Sequence, residues 1–448
     1  MAEKTVIDSS AIMAKIRKDV LSPMTKHRGL LIWVLFLFTG LGLFAWGYAI
    51  QLKQGLIVTA MRDYVTWGMY IANFVFFVAV SLIGMLLSAV LGLLNIKWVK
   101  PITRIAEMIA LSFIMIAGLV IIIDMGRPDR FMNLMLSGRL QSPILWDVTV
   151  ITTYIVISLL LLILPLLPDL GIMKKYMKDD IPKWQWKLYN ILSLGWVGTP
   201  NQYKILHKSI RILMILIIPV ALGIHTVTSW LFAATLRPGW DTTIFGPYFV
   251  TGAFVSGVAA VIIAMFFFRN NYKLKDYLTD FHFDKMGRLL VLVSLVYLYF
   301  NINEFLVPAY KMKTMDAHHL HALFTGDFAL MFWLTQILGL ILPILITITK
   351  FGRKPIPLLI TSIFVVIGAW FKRYLIIVPT MLHPHLPIQN VPASFSEYMP
   401  TGTEITITVG TIIMAMSIFT LLAKLFPVIP MWEVAEEKGV DIEKDLLK

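Results

Sequence analysis

The sequence predicts an all-α integral membrane protein of about ten transmembrane helices, arranged as two four-helix bundles related by internal duplication plus two extra helices. Three observations carry that prediction. The 448 residues are 58% apolar and only 15% charged, with a mean hydropathy of +0.79, which does not describe the surface of a soluble protein. Ten apolar runs reach the roughly 20 residues that a hydrocarbon core of about 30 Å requires. Matched chemical groups also recur about 180 positions apart.

The first 28 residues hold six Lys or Arg among polar neighbours. They contain no apolar core of a signal peptide, so 1–28 is expected to be a cytoplasmic N-terminal segment. The runs then fall near 29–51, 67–94, 102–124, 145–167, 209–235, 247–268, 288–310, 326–349, 355–380 and 404–427. This divides the chain into a first helix and outer loop (29–66), a first four-helix bundle (67–235), a second (236–380), and an outer loop, last helix and cytoplasmic tail (381–448). Alternate connecting segments differ in charge. One set, including both tails, holds about 28 Lys or Arg and the other about 10. The basic set is expected on the cytoplasmic side, giving N-in and C-in topology in the inner membrane. The net charge of +13 is thus accounted for by loops rather than by nucleic acid.

Between the fourth and fifth runs, "PKWQWKLYNILSLGW" mixes Trp, Tyr and Lys as a helix lying in the interface would; a partner-docking surface is the other reading. The echo between the bundles rests on three pairs. Tyr70 and Tyr248 open the second and sixth runs, Asp124 and Glu304 lie near the ends of the third and seventh, and Asp147 and Asp327 begin the fourth and eighth, at spacings of 178, 180 and 180. Duplicated membrane proteins often place a site near or between the repeats.

Acids inside apolar runs are costly, and here Asp124, Asp147, Asp241, Glu304 and Asp327 cluster toward the outer ends, with Arg127, Asp129, Arg130, Arg237 and Arg373 expected near them. Glu107 lies toward an inner end. In "DMGRPDRFMNLMLSGRLQSPILWDV", Gly126 and Pro128 stop one helix while Ser142 and Pro143 start the next. That architecture leaves Asp147 a turn inside an apolar helix, in need of a partner for its charge. "RPGWDTTIFGPYF" repeats the design around Asp241. Tyr70 and Asn73, three apart, share a helix face and could bond a carbonyl or simply pack. Zero cysteines exclude thiolate-held iron–sulfur clusters in this chain. Of nine histidines, only His225 lies well inside a crossing, so no axial pair for a membrane haem is expected. "DAHHLHALF" reads as a metal cluster by composition or as an interfacial loop near a partner.

"DMGRPDRF", "SPILWDVTVITTY" and "RPGWDTTIFGPYFVTGAFVSGVAAV" together resemble the polysulfide-reductase/NrfD family of membrane subunits over roughly residues 30–425. The ten-helix length and "FKRYLIIVPT" with "HPHLPIQ" look most like the branch of sulfite-reductase-associated DsrMKJOP complexes (DsrP), with the quinone-reductase and alternative-complex-III branches close. Gly126, Arg127 and Pro128 match the family's Gly-Arg-Pro turn, Trp146 and Asp147 its Trp-Asp, and Gly239, Trp240, Pro247 and Tyr248 its later loop. Leu82 stands where some branches carry histidine, and Ser229-Trp230-Leu231-Phe232 where some carry an acid.

The resemblance implies a quinone-binding subunit, generally for menaquinone. It would exchange electrons with a ferredoxin-like iron–sulfur subunit on the outer face, beside further membrane and cytochrome or iron–sulfur subunits. On that basis Asp147 is the expected proton acceptor, with Asp241 or His225 as its relay. Tyr70, Asn73, Arg127, Asp129, Trp146 and Tyr248 would line the head-group site. Glu107, Asp124, Glu304 and Asp327 are candidates for a proton path. A transporter without redox chemistry, or a mere anchor for partners, would carry the same buried acids.

Overall fold

The computed structural model describes residues 9–25, 30–235, 237–386 and 388–440. Residues 1–8 and 26–28 of the expected tail, His27 among them, lie outside the described residues, and Ser9–Thr25 form a helix. All ten expected crossings are present: α1 (Leu30–Val58), α2 (Met69–Leu93), α3 (Lys97–Asp124), α4 (Pro143–Tyr176), α5 (Pro200–Ala233), α6 (Phe245–Asn271), α7 (Asp280–Lys311), α8 (Ala329–Thr347), α9 (Pro355–Leu382) and α10 (Gly402–Leu425). This is a multi-pass integral membrane protein.

The start of α5 shows how caps override the limits of an apolar run. Thr199 and Gln202 form a capping box, which begins the helix at Pro200, a position where the missing proline N–H has no partner to lose. The helix therefore starts well before the apolar run at 209. α4 likewise outlasts its apolar run, continuing through Pro165 and Pro168. Two crossings loosen into π-helical turns, Met85–Val90 in α2 and Ile337–Ile341 in α8, a geometry that leaves backbone carbonyls free and often marks functional positions.

Helices α2 to α5 pack as a closed ring, each against its chain neighbours with α5 returning to α2, and α6 to α9 form a second ring of the same kind. The rings meet where α6 touches α2 and α5, and where α9 touches α2; α1 and α10 pair and lean on α3. Glycines set the closest approaches. A Cβ on Gly257 of α6 would lie 2.7 Å from Ile83 Cβ of α2. In the second ring Gly339 and Gly368 face each other so that a Cβ on either would lie within 2.8 Å of the other's Cα. Small residues at such crossings let backbones touch where no hydrophobic driving force operates between helices. The faces turned away, with Leu31, Ile32, Phe36 and Phe38 on α1 among them, are apolar and exposed, as a lipid-facing surface must be.

Short segments complete the ends. "DAHHLHALF" is not a loop: it lies in the helix Thr314–Phe324, folded over the second ring with His319, Leu320, Ala322 and Leu323 buried. The Trp-rich segment forms the helix Lys183–Leu192, and its Tyr189 hydroxyl donates to Leu425 O at 2.7 Å. Gly126, at φ +66°, ends α3 in a conformation that favours glycine. The loop beyond it contains a further short helix, Phe131–Ser137, which the turn signals around it do not reveal.

Candidate functional site: a carboxylate and an imidazole between α4 and α5

The molecule has an Arg127 end and, across the membrane from it, an Arg104 end. Ser142 and Pro143 start α4 at the Arg127 end, which turns Asp147, Ile151, Tyr154 and Ser158 to its buried face. Asp147 is 3% exposed, and its Oδ1 lies 2.6 Å from Thr228 Oγ1 of α5. That hydroxyl is also 2.8 Å from Ile224 O, so its one proton either serves the carboxylate or returns to its own helix. His225 precedes Thr228 by three residues and so shares its face. Its Nδ1 lies 3.4 Å from Ala221 O, while Nε2 is buried with no partner among the described residues. Lower on α4, Tyr154 donates to Ser81 O at 2.7 Å, in the Ser81–Gly84 segment where Leu82 stands.

Rings close this site toward the Arg127 end. Phe232, two turns beyond His225 on α5, lies 4.8 Å from Trp240 and 5.8 Å from Phe249 between centroids, and Trp67 edges against it at 5.7 Å. Trp240, fully buried, is pinned by its indole N–H to Ile376 O at 2.8 Å. The arrangement is a carboxylate and an imidazole set in an apolar, water-poor environment. It can accept, hold and release a proton.

The structure separates the other expected residues into distinct places. Tyr70 and Asn73 turn away from Asp147. Tyr70 donates to Gln51 Oε1 of α1 at 2.7 Å, and Asn73 bonds Thr408 of α10 and Trp370 of α9, each at 2.7 Å. Arg127 does not reach Asp147; it makes a fork with Asp129 at 2.9 and 3.0 Å on the exposed surface. Trp146 is partly exposed and donates to Leu140 O. Asp241 and Asp327 are exposed.

Asp124 has a buried Oδ1 with no partner among the described residues. Tyr248 belongs to the second ring, where its hydroxyl lies 3.5 Å from Asn301 and 3.4 Å from that of Tyr297. Glu304 accepts from Thr242 there at 2.7 Å. Glu107 lies near the Arg104 end and accepts from Ser88, in the π turn of α2, at 2.6 Å.

Several residues escape the sequence reading. Thr228 carries no signal beyond its spacing from His225. Glu404, fully buried, binds Ala60 N, Thr401 N and the Tyr398 hydroxyl at 2.6 to 2.9 Å, and its capping box with Thr401 is legible in "TGTE". At the Arg104 end, Arg104 and Asp169 form a fully buried ion pair. The backbone N–H groups of Met431 and Trp432 donate to Asp169 at 3.2 Å.

Comparison with known proteins bears on this arrangement. Residues 57–384 match the sequence profile described as "Polysulphide reductase, NrfD". The chain belongs to the NrfD family. Its relatives include a selenate reductase subunit of Mesobacillus selenatarsenatis, 29% identical over 85% of this chain and 90% of that one. A Halobacterium salinarum chain named for the membrane subunit of a dimethyl sulfoxide reductase is 29% identical over 88% and 90%. The integral membrane subunit of an Hdr-like menaquinol oxidoreductase of Archaeoglobus fulgidus is 25% identical over 91% and 96%. These NrfD relatives do not single out the DsrP branch. Among the described residues no group of three or more His, Asp or Glu is arranged to hold a metal ion.

Proposed function

We propose that this NrfD-family chain is the membrane subunit of a quinol-oxidising respiratory reductase complex, receiving electrons from menaquinol and delivering them to an iron–sulfur subunit docked at the Arg127 end. The names of the relatives support that class, since they belong to multi-subunit reductases and to a menaquinol oxidoreductase. The observation that carries the site is the Asp147–Thr228 hydrogen bond with the open Nε2 of His225 on the same face. A buried nitrogen without a partner is the feature a hydrogen-bonding head group would satisfy, so the residues present fit a quinone. Menaquinol, when bound, supplies two electrons together with two protons.

The protein's own groups divide the remaining work. Thr228 holds the Asp147 carboxylate in one rotamer; Asp147 accepts a proton at Oδ1 or Oδ2; His225 offers Nε2 to the second oxygen. The Trp67, Phe232 and Trp240 rings keep water from the pair. Replacing Asp147 by Asn keeps the shape and removes the base, so electron transfer from menaquinol falls by roughly 100-fold or more while the partner subunits still copurify. Full activity in Asp147→Asn would remove the site from the mechanism.

The charge bias of the connecting segments supports an Arg127 end outside the cytoplasm. The chain lacks cysteine, so single cysteines can report this orientation. An impermeant maleimide on intact cells should label Asp129→Cys and not Lys178→Cys; the reverse pattern contradicts the orientation. The DsrP-type sulfite-reductase setting is one member of this class, and the nature of the terminal acceptor follows from the partner rather than from this chain.

A further inference from the structure

The second ring carries charge that the reaction site does not use. Lys372 and Arg373 are consecutive on α9 and only 5% and 2% exposed. Two cavities adjoin them. The one nearer the Arg127 end is lined by Tyr248, Glu304, Asp316, His319 and Lys372. The deeper one is lined by Gly252, Tyr297, Gln336, Gly339, Lys372 and Arg373. Lys372 thus reaches both, and the carboxylates Glu304 and Asp316 line only the first. Lys372 also rests 4.5 Å from the Phe305 ring centroid and 5.3 Å from that of Phe332. Arg373 has the Phe249 ring at 5.7 Å, and no carboxylate lines its cavity.

The deeper cavity is also short of acceptors. Arg373 Nε and Nη2 and Gln336 Nε2 are buried with no partner among the described residues. The Gln336 oxygen is already engaged, accepting from Asn301 at 2.9 Å. Gly252 leaves the room the guanidinium occupies, since a Cβ there would lie 3.1 Å from Arg373 Nη2. The π turn Ile337–Ile341 directly follows Gln336 and contributes Gly339 and Leu340 to the wall. Three unpartnered donors, on a glutamine and a guanidinium with no carboxylate in the lining, therefore adjoin a partly open cavity of about 20 Å³, enough for one or two occupants the size of water and too little for a quinone ring.

We propose that the second ring holds a halide-sized monoanion between Arg373 and Gln336. Water would satisfy the donors but leave a guanidinium uncompensated inside the membrane, where an unpaired charge is strongly disfavoured. A monoanion meets both requirements. The proposal does not rest on the quinone assignment, and the anion would tie α6, α8 and α9 together.

The test uses the full chain in lipid nanodiscs, with chloride as the probe and gluconate as the control. Chloride should raise the thermal unfolding midpoint saturably, and radiolabelled chloride should be retained stoichiometrically by the wild type. Gln336→Leu keeps the volume and removes a donor, so half-saturation should move upward roughly tenfold. Arg373→Gln should abolish retention; if that variant does not fold, Gln336→Leu still decides. Equal midpoints in chloride and gluconate, or an unchanged chloride dependence in Gln336→Leu, would overturn the proposal and assign the donors to water.

Discussion

At the Arg104 end, Arg104 and Asp169 show what a buried charge demands. Both are essentially inaccessible, and Arg104 also donates to Pro165 O at 3.0 Å. Pairing with good geometry makes such a couple tolerable, whereas removal of one partner leaves the other stranded. Asp169→Asn should therefore destabilise the protein by about 3–5 kcal/mol, read as a lower unfolding midpoint in detergent. The double replacement Arg104→Met with Asp169→Leu should recover much of that loss; a double variant no better than the single one would refute the account.

The sequence signals Asp147 because an acid a turn inside an apolar helix needs explaining. It does not signal Arg104 and Asp169, because each lies close to a polar boundary and reads as interfacial. Nor does it separate Tyr70 and Asn73 from Asp147. Sharing a bundle says nothing about which face of α2 turns toward α4, and that rotation is set by Gln51, Thr408 and Trp370 on helices outside the ring or in the other one.

Among elements, the C-terminal helix Met431–Glu437 acts as a clasp over the Arg104 end. Trp432 donates its indole N–H to Pro165 O at 2.8 Å, and Lys100 pairs with Glu436 at 3.0 Å. Burial pushes the carboxyl of Glu433 up from 4.5 to about 7, against the opposing pull of Arg104 and Lys100 and with the help of Asp169 and Glu436. A value raised on docking means the contribution is whole below about 4.5 and is lost as the pH climbs through about 7. Amide exchange in residues 431–440 should accordingly be faster at pH 8 than at pH 5, beyond the intrinsic change in rate, and Glu433→Gln should flatten that difference. An unchanged difference in the variant would exclude Glu433 as its source.

Element identity is well legible in the sequence, since apolar length alone finds ten crossings. Element limits are not. Hydrogen-bonded caps such as Thr199 with Gln202 extend helices past their apolar runs, and π turns leave no periodic trace.

Across the whole molecule, two rings of the same connectivity share α2 and α6 as their seam. We propose that they descend from one four-helix unit, as the spacing of Tyr70 and Tyr248 and of Asp124 and Glu304 suggests. The halves have since diverged in chemistry. The first ring encloses the Asp147–His225 pair, while the second encloses Lys372, Arg373 and Glu304. Asp327, the counterpart of Asp147 by spacing, is exposed, so a repeat visible in the sequence does not imply a repeated site. The two proposals together would divide labour between the rings, hydrogen-carrier chemistry in the first and charge retention in the second. The candidate proton-path residues Glu107, Asp124, Glu304 and Asp327 lie in four separate places.

The most direct test of the central claim is photolabelling of the membrane complex with an azido-menaquinone, followed by peptide mapping. Label should appear on α4 and α5 within a turn or two of Asp147 and His225 and be displaced by excess menaquinone. Displaceable label confined to α6–α9, with none on α4 or α5, would contradict it.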